Sequence, residues 1–216
     1  MSLPADYERP IFDLPAALPF APGSSPFRVA GVVYRGLFEF IEEHVPGGLK
    51  RVRSELHQPE LERFLEARFA VSSWYDVTPV PYLGQAVARA RGVSFARQVQ
   101  DANRWSEERA GVIYRALLVF LSADRIASAL PRAAAVVHDF GKVYSQPDGP
   151  HRIVGRRVGV PRPLVRWLVL SHATYLELAL RRLGASSVRV EFGPPERDGQ
   201  AAGVETYQLP FTLAWA

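Results

Sequence analysis

Two short β-type runs, Lys142-Val143-Tyr144-Ser145 and Arg152-Ile153-Val154-Gly155-Arg156-Arg157-Val158, flank the tetrapeptide Pro147-Asp148-Gly149-Pro150. Proline presets a bend, aspartate bonds to its own backbone, and glycine takes the positive φ that closes a tight turn, so the stretch predicts a hairpin. The periodicity before it is helical. After it, a helix over about 163–183 stops at Gly184. Residues 187–192 then alternate, with Val188, Val190 and Phe192 on one face and Arg189 and Glu191 on the other. A loop over 193–203 leads to a last strand over 204–215, where Pro210 predicts an edge or a bulge because it donates no ladder bond. Helices segregated from strands make the class α+β: an N-terminal helical part, then a small antiparallel sheet in strand-strand-helix-strand-strand order.

Working back from the hairpin, Gly141 is placed to stop a helix that Ser122 caps and that runs past Pro131 to Phe140. Trp105-Ser106-Glu107-Glu108 predicts the start of an apolar helix to Leu121, and Ser94 caps the helix before it. Pro79 or Pro81 opens a helix that ends at Gly92. Pro59 opens one through Phe69, with Glu60 and Glu62 at its positive end. The aromatic stretch 72–76 is expected to be a connector. From Val29, apolar residues Val32, Val33, Leu37 and Phe40 recur on one helical face, and Pro46-Gly47-Gly48 ends that helix. Residues 1–26 hold six prolines and read as an extended tail, leaving 27–216 as a single α+β domain.

The chain has 216 residues, 48% of them hydrophobic and none of them cysteine. That composition is globular, and it excludes disulfides, thiolate metal sites and a cysteine nucleophile. The N-terminus lacks the basic start and apolar run of a signal peptide. No stretch approaches the roughly 20 apolar residues of a membrane span. A cytoplasmic protein with no membrane partner is expected.

The net charge of +4 conceals an asymmetry. Between Gly149 and Phe192 there are eight arginines against Glu177 and Glu191, which leaves the rest of the chain slightly acidic. Arg156 and Arg157 are the candidates for an anion or partner surface. Nucleic acid is not the expected partner, because no reading helix or interleaving of aromatics with basic residues accompanies the charge. Neither a Gly-x-Ser-x-Gly elbow nor a phosphate-binding Gly-Lys-Ser/Thr loop is present. His172 recurs with Val165, Val169, Leu176 and Leu180 at helical spacing, as a core or pocket histidine would.

His138-Asp139-Phe140-Gly141-Lys142 resembles the signature of HD-type metal phosphohydrolases. That resemblance implies metal held by His138 and Asp139, with Lys142 steadying phosphate, as an alternative function. No histidine lies between Gln58 and Val137 to complete such a ligand set.

A wider likeness rests on Val29-Ala30-Gly31-Val32-Val33-Tyr34-Arg35-Gly36-Leu37-Phe38, on Trp74-Tyr75-Asp76 with Tyr82-Leu83 and 86–92, on Phe140-Gly141-Lys142-Val143, and on Leu183-Gly184-Ala185 with 188–192. Over about 27–192 the chain resembles a paralogous family of uncharacterised proteins expanded in myxobacteria. The same element order is similar to the haem-nitric-oxide-binding fold and its haem-free relatives, sensory or scaffold domains whose helices and sheet enclose a pocket. The slot where that resemblance implies an iron-ligating histidine falls near Ser128. Where it implies a Tyr-x-Ser-x-Arg motif the chain reads His151-Arg152-Ile153-Val154-Gly155-Arg156-Arg157. No cofactor is therefore expected, with a haem-binding gas sensor as the second alternative. The leading expectation is a non-catalytic bacterial signalling domain that binds a small apolar or amphipathic molecule, or a protein, and that can form a homodimer. Tyr114, Trp167, His172 and Tyr175 are expected to line its pocket, each an apolar body with a polar tip.

Overall fold

The computed structural model describes residues 12–110 and 122–216. Its helical part begins with β1 (Arg28–Ala30), which runs directly into α1 (Gly31–His44). Two short helices follow, α2 (Gly48–Arg53) and α3 (Pro59–Phe64), the second ending five residues before the expected Phe69. The aromatic stretch expected as a connector contains β2 (Trp74–Asp76), which pairs antiparallel with β1. Its last residue explains why. Asp76 is 3% exposed, and its carboxylate accepts the N–H groups of Gly23 (2.9 Å), Ser25 (3.3 Å) and Thr78 (2.8 Å) and the Thr78 hydroxyl (2.7 Å). A short polar strand end thus ties the proline-rich segment to the helical part. Residues 12–26 lie along the protein: Phe12, Leu14, Leu18 and Phe20 pack on the core, and Tyr82 donates to Pro15 O at 3.1 Å.

Pro79 opens α4 (Pro79–Arg91), and left-handed Gly92 closes it. Ser94 caps α5 (Phe95–Ala110), its hydroxyl accepting Arg97 N–H at 3.2 Å. The helix boundary expected at Trp105 does not exist. Trp105 is an interior residue of α5, buried at 7% exposure, because the run from Phe95 continues without a breaker. The remainder of that expected apolar helix, and Tyr114 with it, lies outside the described residues. The next helix, α6 (Ala123–Val137), contains Pro131. Proline cannot donate to the carbonyl four residues back. That carbonyl, of Ala127, instead accepts the Ser145 hydroxyl at 2.7 Å from the sheet.

The hairpin forms as its turn demands: β3 (Lys142–Pro147) pairs with β4 (Arg152–Pro161), Gly149 takes φ +109°, and Asp148 N–H reaches Arg152 O at 2.9 Å. A single 3₁₀ turn leads into α7 (Val165–Arg182). Then come β5 (Arg189–Phe192), β6 (Glu196–Ala201) and β7 (Val204–Ala214). The α+β class is as read, but the sheet has five strands, ordered β3-β4-β7-β5 with β6 also on β7. The expected 193–203 loop is half of a hairpin closed by Ala202 and Gly203, both at positive φ, and its polar residues carry no apolar alternation to betray it. Pro210 is on neither an edge strand nor a bulge. It lies in central β7, opposite Arg156. N and O of one strand residue point the same way, and Pro210 O accepts Gly193 N–H at 2.9 Å. The missing donor therefore faces the gap between β5 and β6, where no ladder bond is lost. No helix among the described residues is long and apolar enough to cross a membrane.

Ser145→Ala leaves the Ala127 carbonyl without either its helical or its substitute donor. It is expected to lower unfolding free energy by about 1 kcal/mol in urea titrations, with an unchanged slope.

Candidate functional site

The helical part and the sheet do not close fully on one another. Between them lies a cavity of about 410 Å³. The α1 face read from the sequence divides here: Phe40 enters the core, joined there by Tyr34 and Ile41, which that face did not include, whereas Val32, Val33 and Leu37 line the cavity. Ala102 and Trp105 of α5, Leu130 and Val137 of α6, and Trp167 and Leu176 of α7 continue the apolar wall. Val143, Phe192 and Phe211 form its sheet side. Arg35, Glu39 and Arg109 also border the cavity, and all three belong to exposed ion pairs, Arg35–Glu39 at 3.2 Å and Arg109–Glu43 at 2.7 Å.

Two groups of polar side chains interrupt the apolar wall: Gln98, Asn103 and Ser106 of α5 with Ser171 of α7, whose hydroxyl donates to Asn103 Oδ1 at 3.0 Å, and a second group centred on Arg157. Arg157 is 1% exposed and makes no ion pair with any described carboxylate. Its Nη2 donates to Phe140 O at 2.9 Å, its Nη1 meets His172 Nε2 at 3.1 Å, and its guanidinium lies 5.2 Å over the Phe140 ring. Arginine has only donors, so His172 Nε2 must accept and its proton sits on Nδ1. Two backbone features admit the guanidinium. The β4–β7 register shifts between Arg157 and Val160, a bulge that changes the aim of the strand. Gly141, at φ +67°, passes beneath the side chain, where a Cβ would stand 2.8 Å from Arg157 Nε. Burial pulls the Arg157 pKa down to about 9, which leaves it a cation at neutral pH.

His138 completes the group. It caps α6, its N–H bonding Ala134 O at 2.9 Å, and forms an isolated bridge with Val29 of β1. Its ring meets Phe140, Trp167 and His172 edge-on at 5.5, 6.0 and 5.5 Å. Nδ1 is buried with no partner among the described residues. Burial first, and the Arg157 charge second, hold His138 and His172 well below the ordinary histidine pKa. The site therefore consists of one cation and two neutral imidazoles.

Of the residues expected to line a pocket, Trp167, His172 and Tyr175 do so together on α7. Arg156 and Arg157 do not share a surface. Neighbours on a strand face opposite ways, and only Arg156 is outside, 5.6 Å over the exposed Tyr144 ring. Other arginines of the basic segment are partnered: Arg181 with Glu177, Arg182 with Glu107, Arg189 with Glu191 and Arg152 with Asp148. His138 and Asp139 are not a ligand pair. The Asp139 carboxylate accepts Arg28 N–H at 2.6 Å and so pins β1. Among the described residues, no three His, Cys, Asp or Glu side chains gather where they could hold a metal ion. Ser128, at the slot the haem resemblance implied, is exposed and bonds back to Arg125 O at 3.0 Å. Sequence reading missed Arg157 as an interior residue, although strand alternation separates it from Arg156.

The depressed histidines set the pH dependence of folding. Below about pH 6.5 the unfolded imidazoles take up protons that the folded ones refuse, so stability is full above that pH and falls on acidification. Between pH 7.5 and 5.5 the loss is expected to be about 2–3 kcal/mol by denaturant titration, with His138→Phe removing half of the slope.

No protein-family model matches the chain, and no curated protein matches it by sequence. Solved structures do match it. An Fe(II) unliganded H-NOX protein from K. algicida superposes with a TM-score of 0.59 at 13% identity, covering 87% of this chain and 96% of that one. A Tt H-NOX double mutant gives 0.57 at 10% identity, covering 86% and 94%. An H-NOX structure probing heme distortion gives 0.55 at 13% identity, with the same coverage. At such identities the likeness is one of architecture: the chain has the H-NOX fold, with a sequence far removed from the solved members.

Proposed function

We propose that this chain is a non-catalytic sensory or scaffold domain that holds a small apolar or amphipathic molecule in the cavity between its helices and sheet, as part of bacterial signalling. The observation that carries this reading is the cavity itself, apolar over most of its wall and interrupted by buried polar groups. A pocket of that composition binds by removing apolar surface from water, with a few polar groups fixing orientation. The walls come from α1, α5, α6 and α7, so an occupant that favours one spacing of these helices shifts the population toward it. A protein that contacts their outer faces would read the change. Among the described residues the cavity serines are not paired with a base: the Ser171 hydroxyl donates to Asn103, and His172 Nε2 meets Arg157.

The Fe(II) and heme named for the similar structures raise haem as an occupant. The residues here fit it poorly. The implied ligand slot holds Ser128, His172 Nε2 is occupied by Arg157, and His138, which lines the cavity, sits at the end of α6, ten residues beyond that slot. We therefore read this as a haem-free relative with a different occupant. Titration with hemin under reducing conditions is expected to give no Soret shift beyond that of a nonspecific control protein. A sharp band lost in His138→Ala would identify His138 as an axial ligand instead.

Native mass spectrometry of freshly purified protein tests the cavity reading directly. A retained adduct of a few hundred daltons is expected. Ala134→Phe, which places a ring into the cavity from α6, is expected to remove the adduct while leaving the far-UV circular dichroism unchanged. An adduct that survives this substitution places the bound molecule elsewhere.

A further inference from the structure

Resting on the reading of the cavity as a ligand site, we infer that its ligand is a singly charged amphipathic carboxylate, whose headgroup lies against Arg157 and whose apolar body lies along the helices. The argument begins with the cost of Arg157. A guanidinium 1% exposed has left water, and its two protein acceptors, Phe140 O and His172 Nε2, are both neutral. Two of its five N–H groups are used in those bonds, and Nε has no partner among the described residues. A buried cation so treated is destabilising, and an anion that arrives with the ligand offsets that cost.

The charge of the ligand follows from its surroundings. His138 and His172 are neutral, and the other cations that border the cavity, Arg35 and Arg109, are paired with Glu39 and Glu43. One negative charge is balanced there, and a doubly charged phosphate monoester would leave one charge uncompensated in a low-dielectric site. The guanidinium fork matches the planar carboxylate, and His172 Nδ1–H adds a neutral donor. The body of the ligand is apolar because most of the remaining wall is: Leu37, Leu130, Val137 and Leu176 offer no hydrogen bond, and the Ser171 hydroxyl there is already bonded to Asn103.

Trp105 and Trp167 line the cavity and supply an intrinsic fluorescence signal for titration with decanoate, 1-decanol and decyl phosphate, checked by calorimetry. The expected result is decanoate binding about 10- to 100-fold more tightly than decanol, the worth of a hydrogen bond to a charged group. Arg157→Met keeps the volume and removes the charge, and it is expected to bring the two affinities together. The wild-type ratio stands as a test even if that variant does not fold. Decanol binding as tightly as decanoate overturns the carboxylate headgroup while leaving the apolar ligand cavity intact. Decyl phosphate binding more tightly than decanoate overturns the single-charge assignment. Binding of none of the three overturns the cavity reading itself.

Discussion

A guanidinium held inside the protein without a carboxylate is the constraint from which the rest of this structure can be understood. Arg157 bonds the carbonyl of Phe140, at the junction of α6 and β3, and the imidazole of His172 on α7. It thereby joins one strand to the two helices that flank the sheet. Each contact has a structural cost. The strand carries a bulge, Gly141 takes a left-handed conformation, and His172 is held in one tautomer with its charged form suppressed. A hydrophobic residue of the same volume would pack there without these adjustments. Their coincidence at one point beside a cavity is the physical reason to treat that point as functional.

The second polar knot, at Asp76, is of the opposite kind. Its carboxylate is buried but surrounded by donors, so its desolvation is met within the protein. It orders the proline-rich segment and β2 and has no bearing on the cavity. The contrast separates architecture from recognition: a satisfied buried charge holds chain segments together, whereas an unsatisfied one calls for something that the described residues do not supply. The H-NOX architecture provides the space, and this chain's own side chains decide what the space accepts. Ser128 stands exposed at the slot that the haem resemblance implied, and Arg157 stands in the interior beside the cavity.

Elements with strong local signals were legible in the sequence: the Pro-Asp-Gly-Pro hairpin, the proline starts of α3 and α4, the Ser94 cap, and the helix that carries Trp167, His172 and Tyr175. Elements that owe their form to partners were not. Strand β2 exists because β1 and Asp76 hold it, and β6 exists because β7 does. Both are too polar or too short to show a period of their own. The His138-Asp139 string misled because adjacency in sequence is not adjacency of side chains. One residue faces the cavity and the other ties down β1.

What the sequence determined by itself was therefore the class and the succession from a helical part to an antiparallel sheet, since periodicity, turn residues and caps act within a few residues of each other. It also excluded all chemistry that needs a thiol. The tertiary structure alone decided which of two neighbouring arginines is buried, which face of α1 borders the cavity, and how a proline fits a central strand. These depend on groups brought together from distant parts of the chain, and the free energy of a buried charge is set by what surrounds it in space.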